Sequence, residues 1–201
     1  QNAVGHILLG ELQFKSGQYD AAEATFRTGP VINSPYPQPH LFLGHIATKK
    51  GRLDEAQDHY QKSLVVNNAY LPARLALAEL FFNRGRLADS REEIRRVLSV
   101  QPELVPALIV KAALDTAEKS YSEAEQELTI LLKEQPDNAL VHRQRGIYYD
   151  SRGRAADAEC PIVEAANDGP AALAEHGKSC RQGYEALAQL GGPPLRGGSW
   201  P

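Results

Sequence analysis

The chain has 201 residues, 42% apolar and 23% charged, an ordinary globular composition with ample length for a core. A net charge of −3 excludes a global field that would draw in nucleic acid or an anionic membrane surface. No apolar run approaches the roughly 18 residues of a spanning helix, so direct membrane insertion is not expected.

The chain opens QNAVGHILLG, already inside a helical pattern and without Met, which reads as a trimmed or mature form. A removed signal peptide would leave no trace, so the compartment stays open between a bacterial cytoplasm and a periplasm. Further along, Gly17, Gly51, Gly85 and Gly153 lie at multiples of 34 residues, and Lys119 fills the remaining slot. Each period predicts a helix, a turn and a second helix. With each repeat numbered from position 1 to position 34, the turn glycine holds position 15.

The first repeat, 3–36, packs Leu9-Gly10 on helix A, turns at Gly17-Gln18-Tyr19, and faces Ala22 and Phe26 inward on helix B. The following PVINSPYPQP carries Pro30, Pro35, Pro37 and Pro39, which predict a stiff connection that does not continue a helix. The second repeat is 37–70 and the third 71–104. The fourth, 105–138, holds 3 Lys against 7 acidic residues; this is an acidic stripe for a basic partner or simply a solvated face. In the fifth, 139–172, Pro161 is expected to kink or end the second helix. Residues 171–190 read as one further helix that caps the array, and 191–201, with the only Trp at Trp200, as a flexible tail.

Position 8 is small throughout (Gly10, Gly44, Ala78, Ala112, Gly146), as is position 20 (Ala22, Ala56, Ser90, Ala124, Ala158). Small facing small lets two helices approach, with Phe26 and Tyr60 filling the space beside them. This pattern, with Leu43-Gly44 followed by Ala56 and Tyr60, resembles the tetratricopeptide repeat family over residues 3–172. The resemblance implies an all-α, right-handed superhelical solenoid of helix-turn-helix hairpins spanning 1–190, closed by the C-terminal capping helix.

The family also implies where a partner would bind. Helix A positions 2, 5, 9, 12 and 13 line the concave groove of such solenoids. Position 5 holds Ile7, Leu41, Leu75, Ile109 and Arg143; position 9 holds Glu11, His45 and Glu79; position 12 holds Phe14, Thr48 and Phe82. The candidate groove residues are therefore Ile7, Glu11, Leu41, His45, Leu75, Glu79, Phe82, Ile109 and Arg143. An apolar ladder of this kind marks an interaction site, or it packs adjacent A helices. The carboxylate-clamping members of the family place Lys and Asn where this chain has Ile7, Glu11 and His45, so binding of an EEVD-type tail is not expected.

Chemistry has few footholds. There is no G-x-S-x-G, H-E-x-x-H, C-x-x-C or phosphate loop, so no enzyme, cofactor or metal is expected. His6, His40 and His142 share position 4, but equivalent helices lie on the order of 10 Å apart, too far for a common metal. Arg91, Arg95 and Arg96 alternate with Glu92 and Glu93 as a solvated face. Cys160 and Cys180 form a disulfide or remain two half-buried thiols. The function expected is a scaffold that takes a peptide or helix of a partner protein in its groove. The alternatives are a helical arm of a larger enzyme or secretion machine, and self-association through the same groove.

Overall fold

The computed structural model describes residues 3–152, and their regular structure is helical. The second helix of the fifth repeat with Pro161, the capping helix, the tail and the Cys160–Cys180 pair lie outside the described residues. The A helices are α1 (Ala3–Lys15), α4 (Gln38–Lys49), α6 (Leu71–Asn83), α8 (Val105–Ala117) and α10 (Ala139–Ser151). The B helices are α2 (Tyr19–Phe26), α5 (Leu53–Val66), α7 (Leu87–Val100) and α9 (Tyr121–Glu134). Antiparallel pairing of A with B, repeated at one period, is a helical-repeat solenoid.

The turn at position 15 explains why the period is so exact. Gly17, Gly51 and Gly85 take φ of 78°, 74° and 72°, and Lys119 takes 64°. In each case this residue donates to the carbonyl three back and its successor to the carbonyl five back. In the second repeat these bonds are Gly51 to Thr48 at 3.1 Å and Arg52 to Ala47 at 2.8 Å. This is a Schellman closure, which satisfies the last carbonyls of helix A and aims the chain into helix B.

The proline-rich connection differs from the sequence expectation. A short helix, α3 (Gly29–Ile32), forms inside it and buries Val31. Pro30 and Pro39 both sit in the first turn of a helix, where no backbone donor is required. Proline here starts helices as well as stopping them.

The described residues belong to two compact units, Gln1–Val110 and Lys111–Pro201, with the division inside α8. In the first unit, one cluster joins Ile7, Phe26, Val31, Leu43 and Ile46, and another joins Leu41, Tyr60, Ala73, Leu77 and Phe81. A Cβ on Gly10 would stand 2.6 Å from the Phe26 ring, and one on Gly44 2.3 Å from the Tyr60 ring. The small position 8 thus meets the large ring of helix B directly, and in the third repeat it also meets position 20, where Ser90 Oγ donates to the Ala78 carbonyl at 2.8 Å. In the second unit, Leu128, Leu131, Val141 and Tyr148 are fully enclosed.

Polar contacts link neighbouring repeats at one recurring set of positions. Lys50 donates to Glu23 at 2.7 Å, and Arg84 donates to Gln57 at 3.4 Å. Within the second unit, Arg152 stands 3.6 Å from Glu125. Each pair joins position 14 of one repeat to position 21 of the repeat before it.

Candidate functional site

Three consecutive A helices of the first unit enclose a cleft of about 300 Å³. Helix α1 contributes Phe14, α4 contributes His45, Thr48 and Lys49, and α6 contributes Ala76, Glu79, Leu80 and Asn83. The Tyr60 ring of α5 reaches in from behind. Phe14 and Thr48 hold position 12, His45 and Glu79 position 9, and Lys49 and Asn83 position 13. A helix brings positions 9, 12 and 13 to one face, and the 34-residue register stacks those faces side by side.

The floor carries a directed chain of hydrogen bonds. Thr48 Oγ1 donates to the Gly44 carbonyl at 2.9 Å, which commits its only proton. The contact of 3.1 Å between Tyr60 Oη and Thr48 Oγ1 then requires the tyrosine to donate. With its own proton spent, Tyr60 accepts from His45 Nδ1 across 3.0 Å. The imidazole is therefore the Nδ1–H tautomer, and its Nε2 is left as an acceptor. Burial, aided by the charge of Lys49, lowers the His45 pKa to about 4 and keeps the ring neutral near neutral pH. Burial also pushes the Tyr60 phenol up to about 12; the Thr48 hydrogen bond opposes this shift and the Glu79 charge adds to it.

Glu79 has a different environment. Its side chain is exposed, yet the surrounding protein desolvates the carboxyl and raises its pKa above the ordinary carboxylate value. Both hold on a concave surface, where water reaches the group but protein fills much of the volume around it. Among the described residues Glu79 has no hydrogen-bond or ion-pair partner.

Of the residues expected to line a groove, the cleft brings together His45 and Glu79. Ile7 and Leu41 do not present themselves to it. Each is 6% exposed and packs against the neighbouring repeat, Ile7 with Leu43 and Ile46, Leu41 with Ala73, Ala76 and Leu77. Position 5 in these repeats holds adjacent hairpins together. Leu75, Phe82, Ile109 and Glu11 are half-buried outside the cleft, and Arg143 is exposed in the second unit. Thr48 and Phe14 were legible from position 12 of the repeat frame. Tyr60 carried no such signal, because its ring reaches the cleft from a B helix past the missing side chain of Gly44.

Three further histidines have local partners among the described residues. His40 and His59 meet through their Nδ1 atoms at 3.1 Å, and His142 Nε2 lies 2.6 Å from the Pro136 carbonyl. No helix among the described residues is long and apolar enough to cross a membrane.

Tetratricopeptide repeat models match residues 3–28, 47–114 and 112–174, together most of the chain. No curated protein sequence matches it. Among solved structures, a tetratricopeptide repeat protein from Parabacteroides merdae superposes with a TM-score of 0.72 at 18% identity, over 94% of this chain and 79% of that one. A thermophilic tetratricopeptide repeat protein of Thermus thermophilus gives 0.67 at 18% identity, over 89% and 98%. MamA from AMB-1 gives 0.63 at 19% identity, over 85% and 98%. At these identities the likeness concerns the fold. The repeat matches, the 34-residue register and the paired helices agree on one assignment: the chain belongs to the tetratricopeptide repeat family, as an all-α helical-repeat solenoid of the protein-interaction scaffold class.

Proposed function

We propose that the chain binds an extended peptide or a helix of a partner protein along the A-helix face of its first unit, with the 14/45/79 cleft as the anchor point. The observation that carries this reading is the convergence of positions 9, 12 and 13 from three successive repeats on one cleft of about 300 Å³. Such a volume, at the small end of the range for binding pockets, has room for one or two side chains of a partner. Leu75, Phe82 and Ile109, each half-buried, extend the apolar contact, and Glu11 adds a polar one. Ile7 and Leu41 act beneath the surface, by holding the helices in register. The scaffold carries out no chemistry in this reading.

The test selects binders from a random peptide library against the intact chain and measures them against Asn83→Trp. Asn83 is exposed at the cleft, so a large neutral ring there occupies the space without disturbing the core. Selected peptides are expected to lose most of their affinity for this variant and to keep it for Arg143→Ala. Peptides that bind the filled cleft as well as the open one would sink the reading.

A further inference from the structure

The cleft holds one carboxylate that is in no ion pair among the described residues. Glu79 has no partner among the described residues, although ion pairs are plentiful on the same unit, with Glu23, Glu55, Asp54 and Glu93 all engaged. Lys49 borders the same cleft, but no ion pair within 4.0 Å joins it to Glu79. The second polar group is His45, whose tautomer is fixed by the Tyr60–Thr48–Gly44 chain so that Nε2 accepts. The third wall is the Phe14 ring, 6.0 Å from the His45 ring. The cleft therefore offers an anion, a neutral acceptor and an aromatic wall, with Lys49 and the Asn83 carboxamide as the donors at its border.

We infer that this cleft is a subsite for a basic side chain of the partner, arginine before lysine: the guanidinium pairs with Glu79, donates to His45 Nε2 and lies against Phe14. This rests on the groove reading above and adds the chemistry of the occupant. Arginine fits better because its planar fork presents several donors at once and stacks on aromatic rings, whereas an ammonium is a point charge held more tightly by water. Arrival of a cation also supplies what the desolvated carboxyl lacks, so binding is expected to lower the raised Glu79 pKa.

The experiment titrates the chain with N-acetyl-arginine methylamide and with its citrulline counterpart, which has the same shape without the charge. The readout is the NMR signals of the His45 ring. The arginine probe is expected to move those signals saturably, and the citrulline probe to bind about tenfold more weakly or less. Glu79→Gln, an exposed isosteric change, is expected to erase that preference while the unliganded signals of the His45–Tyr60 pair stay in place. Equal binding of both probes, or an arginine preference that survives Glu79→Gln, overturns the inference. The library-selected peptides separate the two readings. Peptides that require the open cleft yet lack a basic residue, and bind Glu79→Gln unchanged, overturn the cation assignment and leave the groove standing. Peptides indifferent to Asn83→Trp overturn both.

Discussion

The seam between the first and second repeats and the seam between the second and third use the same positions with different charge. In the first, Glu23 accepts from Lys50 at 2.7 Å, from Arg52 at 3.0 Å and from Arg27 at 3.0 Å. In the second, Gln57 takes the place of Glu23, and Arg84 and Arg86 approach it only to 3.4 Å. Arg84 also pairs with Asp54 at 2.8 Å, as Lys50 does with Asp20 in the first seam, so the seams differ at Glu23 and Gln57. Partial burial pushes the Glu23 carboxyl up, but the hydrogen bonds from Lys50, Arg52 and Arg27 outweigh it and bring the pKa to about 2. The two seams nevertheless keep the same helical register. Packing sets the geometry of the repeat, and charge adjusts how firmly each seam is held.

If that is right, breaking the packing should hurt more than breaking the stitch. Gly44→Ala puts a methyl group 2.3 Å from a Tyr60 ring that is 2% exposed and has little room to move. A loss of about 3 kcal/mol in denaturant unfolding is expected, at the upper end for overpacking. Gly10→Ala, 2.6 Å from Phe26, should cost about 2 kcal/mol by the same mechanism. A near-neutral Gly44→Ala would mean that Tyr60 is not held as described.

The stitch itself separates the seams. Glu23→Ala removes the carboxylate that three cations share and should cost about 2 kcal/mol, discounted because those cations are partly solvated. Gln57→Ala removes only long hydrogen bonds and should cost about 0.5 kcal/mol. Equal costs would erase the distinction between the seams.

Acid should reveal the same contrast in a different order. His59 is buried against His40. Burial first, and then the charges of His40, Arg27 and Lys62, lower its pKa from 6.5 to about 4, with Asp58 opposing. The unfolded chain takes up this proton at a higher pH than the folded one. The stability is therefore present above pH 6.5 and is lost as the pH falls toward about 4. Glu23 acts lower, its contribution present above 4.5 and lost as the pH falls toward about 2. Glu79, with a raised carboxyl pKa, works in the opposite sense and partly offsets the histidine loss. Unfolding free energy is expected to drop by about 2 kcal/mol on the histidine limb alone. His59→Gln should remove its share of that limb, leaving the share of His45 and the Glu23 limb intact.

The repeat frame, and with it the fold, was open to reading because three kinds of signal coincide at one period. These are the positive-φ turn residues, the small position 8 and the large position 24. The cleft was half open to reading. Positions 9 and 12 pointed at His45, Glu79, Thr48 and Phe14, since helical spacing alone puts them on one face. Position 5 left two readings open, because an apolar ladder looks the same whether it faces a ligand or the next hairpin. Only burial tells these apart, and Ile7 and Leu41 turn out to face the next hairpin. The stitch was not visible either. It pairs residues 27 apart whose identities vary, Lys50 with Glu23 and Arg84 with Gln57, so no motif repeats even though the geometry does.

The turns give the smallest and sharpest version of the same lesson. Lys119 adopts φ 64°, close to the 72° to 78° of Gly17, Gly51 and Gly85, although an L side chain is disfavoured there. The closure bonds are the same as well, Lys119 to Thr116 at 3.1 Å and Ser120 to Asp115 at 2.8 Å. The position imposes the conformation, and the residue only sets its cost. Lys119→Gly should relieve strain of about 1 kcal/mol or more, partly returned as added freedom of the unfolded chain, for a net gain of about 0.5 kcal/mol. Gly51→Ala, the reverse experiment, should lose about 1 kcal/mol by the same account. Should Lys119→Gly destabilise the chain, the lysine side chain must contribute more to its turn than the backbone strain takes away, and the four turns are then not equivalent.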